Sequence, residues 1–143
     1  MGSQAYSKAK QLLIMADAGG SNANRSRLWK VGLQRLANLT GLQIHVSHFP
    51  RGTSKWNRIE HRLFSFITQN WRGRPLISYQ TIVDLIAHTK TKTGLKVKAR
   101  LTRRRYPTGI KVPDPEMEQL NLKPDAFHPE WNYSLLPQCS KVV

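Results

Sequence analysis

The sequence predicts an α/β domain, and three observations carry that reading. Leu12-Leu-Ile-Met-Ala16 is a short apolar run that ends at Asp17 and Gly19-Gly20, the pattern of a buried strand opening into a loop. Leu42, Ile44 and Val46 alternate with Gln43, His45 and Ser47, the two-residue period of a second strand. Between them Trp29, Leu33, Leu36 and Ala37 recur at helical spacing, with Lys30, Gln34 and Asn38 on the outward row. Strand, helix and strand in that order imply a parallel pair joined by a right-handed crossover.

Each further element has its own local reason. Residues 1–10 are a polar lead-in, helical at most. Asn24 or Ser26 can cap the first long helix, which runs to about Thr40 and ends at Gly41 as a left-handed cap. Pro50 and Gly52 break the chain after the second strand. A helix from Lys55 to Trp71 buries Ile59, Leu63, Phe66 and Ile67, and Gly73 with Pro75 stops it. Glu60 begins a neighbouring row, at the edge of that buried face. A further helix spans Ser78 to His88, with Ile82, Leu85 and Ile86 inward. Leu95, Val97, Ala99 and Leu101 then alternate with Lys96, Lys98 and Arg100, and Tyr106-Pro-Thr-Gly109 turns the chain toward Ile110-Lys-Val112. That pattern predicts a basic hairpin. From Pro113 onward proline is frequent and periodicity absent, so an irregular tail is expected, pinned by Phe127, Trp131 and Tyr133. The division is residues 1–93 as core and 94–143 as hairpin and tail packing on it.

Charge bounds the partners. The 143 residues carry 23 Lys and Arg against 8 Asp and Glu, a formal net charge of +15. A domain this basic repels itself and is matched to a polyanion, nucleic acid first. No apolar run approaches the roughly 18 residues that span a bilayer, and nothing at the N-terminus resembles a signal peptide. The expected setting is a bacterial cytoplasm, associated with the nucleoid. The single cysteine, Cys139, excludes an internal disulfide and any Cys-rich zinc site.

Two acids stand out. Asp17 sits at a strand end and Glu60 in the first turns of a helix, and such carboxylates can share a hard divalent cation for phosphoryl transfer. Both also have simpler readings. Asp17 before Ala-Gly-Gly suits a turn that bonds its own backbone, and Asn57-Arg-Ile-Glu60 has the spacing of a capping box. Arg51, Lys55 and Arg58 flank the Glu60 loop, where a DNA phosphate or plain solvent would meet them equally well. Lys96, Lys98, Arg100, Arg103, Arg104 and Arg105 are denser, and a strand face cannot neutralise its own row of cations, which favours phosphate contact. His45 and His48 differ by three on a strand and face opposite ways, so they form no ligand pair; His48 reads as a surface histidine within reach of the strand end. Gly19-Gly20 lacks a dinucleotide or P-loop spacing, and no nucleophile-elbow spacing occurs.

His48-Phe-Pro-Arg-Gly-Thr-Ser-Lys-Trp-Asn-Arg-Ile-Glu60-His-Arg-Leu-Phe-Ser65 closely resembles the block with the last catalytic acid in bacterial insertion-sequence DDE transposases of the ISAzo type. Ala16-Asp17-Ala-Gly-Gly-Ser-Asn22 is similar to the block with their second acid, and Arg27–Lys30, Asn70–Pro75, Tyr106–Gly109 and Glu130–Tyr133 follow in the same order. The resemblance runs from about Tyr6 to Pro137. It implies a ribonuclease-H-like core, incomplete here, and two Mg2+ or Mn2+ ions held by three carboxylates. It further implies cleavage and joining of DNA strands at transposon ends, with Asp17 and Glu60 as second and third acids. The family's first acid should lie well before Asp17, yet only sixteen residues precede Asp17 and none is acidic. The expectation is therefore a truncated, inactive transposase piece that self-associates through an exposed strand edge; the alternative is a non-catalytic basic DNA-binding or regulatory protein derived from one.

Overall fold

A computed structural model describes residues 2–138; Met1 and residues 139–143, with the lone thiol of Cys139, lie outside the described residues. The chain divides into two compact units, Met1–Trp56 with Gly109–Val143, and Asn57–Thr108. These boundaries fall elsewhere than the 93/94 division that composition suggests. In chain order the helices are α1 (Gly2–Ala5), α2 (Arg27–Thr40), α3 (Arg58–Trp71), α4 (Tyr79–Ala87) and α5 (Asp114–Glu118). The strands are β1 (Gln11–Ala16), β2 (Gln43–His48), β3 (Leu122–Pro124) and β4 (Asn132–Leu135).

The first unit is a four-stranded sheet in the order β1-β2-β4-β3. β1 and β2 are parallel, with Gln11 opposite Gln43 and Ala16 opposite His48. The crossover helix α2 starts where Ser26 accepts the amide of Trp29, and it ends at Gly41, whose positive φ of 71° lets its amide return to the Ala37 carbonyl at 2.8 Å. One face of the sheet is dry. Leu33 and Ala37 of α2 meet Ile44, Val46, Tyr133 and Leu135, with Ile14, Trp29, Leu120 and Leu122 packed around them.

The C-terminal segment is not the irregular tail the sequence suggests. β4 adds antiparallel to β2, and β3 adds to β4. The local pattern is too short to show this, because strands of three and four residues carry only one or two inward side chains each. Tyr133 is buried as expected, Trp131 is half-buried, and Phe127 is 72% exposed and pins nothing. The outward row of α2 also needs correction. Gln34 is only 3% exposed because the C-terminal segment covers it. Its amide donates to the Leu136 carbonyl and Asn38, and its carbonyl oxygen accepts from the Asn121 amide.

The second unit contains α3, α4 and an extended basic segment. Asn57 caps α3 and Ser78 caps α4. Ile67 and Leu85 are buried, and the Asn70 side chain donates to the Leu85 carbonyl. The expected buried stripe of α3 is thinner than its period suggests, since Leu63 and Phe66 are half-buried and Ile59 is 77% exposed. No basic hairpin forms. A single bridge pairs Lys90 with Lys96 around Gly94, and residues 97–113 have no regular structure. Val97, Ala99 and Leu101 are nevertheless half-buried while Lys96, Lys98 and Arg100 are exposed. The alternation survives without a ladder because two like-charged strands would face each other across it, and an isolated pair of strands is marginal in water.

Candidate metal and phosphate site

Asp17 follows β1 directly, at the end of the sheet where β2 also finishes and β4 begins. Its Oδ1 atom is buried and has no hydrogen-bond partner among the described residues. The turn reading, in which this side chain bonds nearby backbone, therefore does not account for that oxygen. A buried carboxylate oxygen left bare costs several kcal/mol by rough estimate unless a cation or donor meets it. Asp17 lines an open cavity of about 280 Å3 together with Arg25, Pro50, Arg51 and Gly52. Gly52, with φ of 76°, allows the turn that carries Arg51 there. Neither arginine forms an ion pair with Asp17 among the described residues. The cavity is thus lined by one carboxylate and two exposed arginines, a set that suits a divalent ion with a phosphate.

Behind the cavity runs a buried polar chain. His48 is 4% exposed, so it is a core residue and not the surface histidine its position suggests. Its Nε2 lies 2.8 Å from the Tyr133 hydroxyl, and its Nδ1 lies 3.3 Å from the Asp17 carbonyl oxygen. Trp29 Nε1 donates to the same hydroxyl at 3.1 Å. Burial pushes the Tyr133 phenol up to about 12, so it keeps its proton at any ordinary pH. Burial also lowers the pKa of His48, and the nearby Lys30 charge lowers it further against the Asp17 carbonyl, so the neutral imidazole is favoured. Lys30 itself lies 5.1 Å from the centre of the Tyr133 ring, and its own pKa is lowered by burial.

Glu60 lies in the first turn of α3, in the second unit, and is exposed. Half of the expected capping box forms: the Glu60 amide reaches Asn57 Oδ1 at 3.5 Å. No hydrogen bond from another described residue reaches the Glu60 carboxylate, so its oxygens stay available. Arg58 precedes it in the same turn, and Lys55 lies in the short 3-10 turn Ser54–Trp56; both are exposed. Among the described residues no group of three or more His, Cys, Asp or Glu side chains gathers. Lys96, Lys98, Arg100, Arg103, Arg104 and Arg105 are all exposed, and Arg104 lies 6.0 Å from the centre of the Tyr106 ring.

The family described as Rhodopirellula transposase DDE domain matches residues 1–137. The chain belongs to this DDE transposase family. No curated protein and no solved structure matches it. DDE transposase domains generally use divalent metals, which accords with hard carboxylate ligands. No helix among the described residues is long and apolar enough to cross a membrane. The residues that the sequence reading of this DDE domain missed are Arg25 and His48 with Tyr133. His48 shares its parity with Ile44 and Val46, which is the signal that places it on the buried face. Arg25 lies in the loop between β1 and α2, on the side of a parallel sheet where loops build binding crevices.

Proposed function

We propose that the chain supplies the second and third acids of a DNA-cleaving and DNA-joining chemistry, with Asp17 and Glu60 each serving as a ligand to Mg2+ or Mn2+. The unpartnered, buried Oδ1 of Asp17 carries this reading. In it, β1, α2 and β2 are the parallel part of a ribonuclease-H-like sheet, and none of these 143 residues is assigned as the first acid. When bound, the ion supplies positive charge to a strand phosphate and its attacking oxygen. Arg25 and Arg51 hold the phosphate beside Asp17, Lys55 and Arg58 extend that contact, and Lys96 through Arg105 grip more distant phosphates. The partner is DNA at transposon ends and targets.

The test is Mn2+ binding followed by electron paramagnetic resonance, with Asp17→Ala and Glu60→Ala beside the parent chain. Weak binding lost in both variants is the expected result. Binding that survives Glu60→Ala unchanged would remove Glu60 as a metal ligand.

A further inference from the structure

The chain from Trp29 through Tyr133 to His48 ends on Asp17, and every link has a fixed direction. An indole nitrogen can only donate, so the Tyr133 oxygen accepts from Trp29. The phenol then has one proton to give, and it goes to His48 Nε2. That leaves the imidazole proton on Nδ1, opposite the Asp17 carbonyl, which can only accept. The other tautomer fails at both ends. It would set two acceptors against each other at Asp17 and aim two ring donors at Tyr133, stranding buried groups at about 1–3 kcal/mol each.

The last link matters because of where it falls. The Phe49 amide donates to the Ala16 carbonyl at 2.8 Å, which fixes the peptide plane before Asp17. His48 fixes the plane after it. With both planes held, φ and ψ of Asp17 are set, and with them the direction of its Cα–Cβ bond. We propose that His48 and Tyr133 are positioning residues for Asp17, so that strand β4, distant in sequence, aims the carboxylate into its cavity. This inference rests on the reading of Asp17 as a metal ligand.

The experiment uses the full chain labelled with 15N and 13C. Three quantities are followed: the His48 ring-nitrogen shifts, the Asp17 carbonyl shift, and Mn2+ affinity. Tyr133→Phe keeps the ring and removes only the hydroxyl; Trp29→Phe removes only the first donor and carries the test should Tyr133→Phe not fold. The parent should show one tautomer with the proton on Nδ1. Tyr133→Phe should mix the tautomers, move the Asp17 carbonyl shift and weaken Mn2+ binding about tenfold, the lower end for loss of an outer-shell partner. Trp29→Phe should mix the tautomers to a smaller extent. A single Nδ1–H tautomer and an unmoved Asp17 carbonyl in the variants would overturn the proposal, as would unchanged Mn2+ affinity despite mixed tautomers. Equal Mn2+ affinity in the parent and Asp17→Ala would remove the metal reading of Asp17, and the carbonyl shift would still decide whether the relay positions it.

Discussion

Gln34 holds the C-terminal segment through two backbone groups, the Leu136 carbonyl and the Asn121 amide. Gln34→Ala should strand both and lower the stability of the fold by about 2–4 kcal/mol, since each group is only part-buried and a fully buried one costs about 1–3 kcal/mol. Chemical denaturation checks this; a loss below about 0.5 kcal/mol, the size of a neutral surface change, would show that Gln34 is not a seam residue. His48 gives the fold a pH dependence of defined sign. Its pKa is lowered in the fold, so on acidification the unfolded chain takes up the proton first, near 6.5. Its contribution is complete above that value and declines as the pH falls through the lowered folded value. The melting temperature of the parent should therefore drop more between pH 7 and pH 5 than that of His48→Asn, which has no titrating ring at that position. Equal drops would place the acid sensitivity elsewhere. Both residues show what a single position conceals. Gln34 has the residue type of a solvated face, and His48 has the chemistry of a surface ligand. Each is buried because a segment distant in sequence packs against it.

Of the two edge strands, β1 and β3, β1 is the longer. It pairs with β2 on one side only, and Leu13 and Met15 are 63% and 50% exposed. An apolar edge strand with free backbone donors and acceptors is a template for another strand. Leu13→Lys should therefore shift the chain toward monomer in sedimentation or light scattering, with its melting temperature little changed. An unchanged mass distribution would exclude β1 as the associating edge. The caps were the most legible elements. Ser26, Gly41 and Asn57 act where the sequence places them, because a cap needs only its own turn. The basic hairpin that alternation predicts is absent for the opposite reason. Alternation sets which side chains turn inward, but a ladder also needs a partner strand, and residues 97–113 do not form one.

At the scale of the whole molecule the charge of +15 dominates. Binding to duplex DNA should be weak, largely independent of base sequence, and led by the Lys96–Arg105 segment. With about five phosphate contacts, the logarithm of affinity should fall with the logarithm of salt at a slope of about −4 to −5. Joint reversal of Arg103, Arg104 and Arg105 to Glu should weaken binding to every sequence tested. Salt-insensitive binding would remove the phosphate argument. The 143-residue chain alone should also not cut DNA, because two acids do not fix two ions in line with a phosphate, and misplacement by about 1 Å costs on the order of a hundredfold in rate. A nicking assay with Mg2+ and Mn2+ on supercoiled DNA checks this. Metal-dependent nicking that is lost in Asp17→Ala and Glu60→Ala would show that a further ligand completes the site.

What the sequence determined by itself was local or categorical. The parallel β1–α2–β2 unit, the helix caps, the basic character and the DDE family all follow from patterns within a turn, a strand or a contiguous block. The tertiary structure decided the rest: that β3 and β4 complete the sheet, that Gln34 lies under the C-terminal segment, and that Tyr133 reaches His48 behind Asp17. These contacts join residues about a hundred positions apart. No period or spacing encodes such a pairing. It is fixed by burial of shared apolar surface and by the need of each buried polar group for a partner.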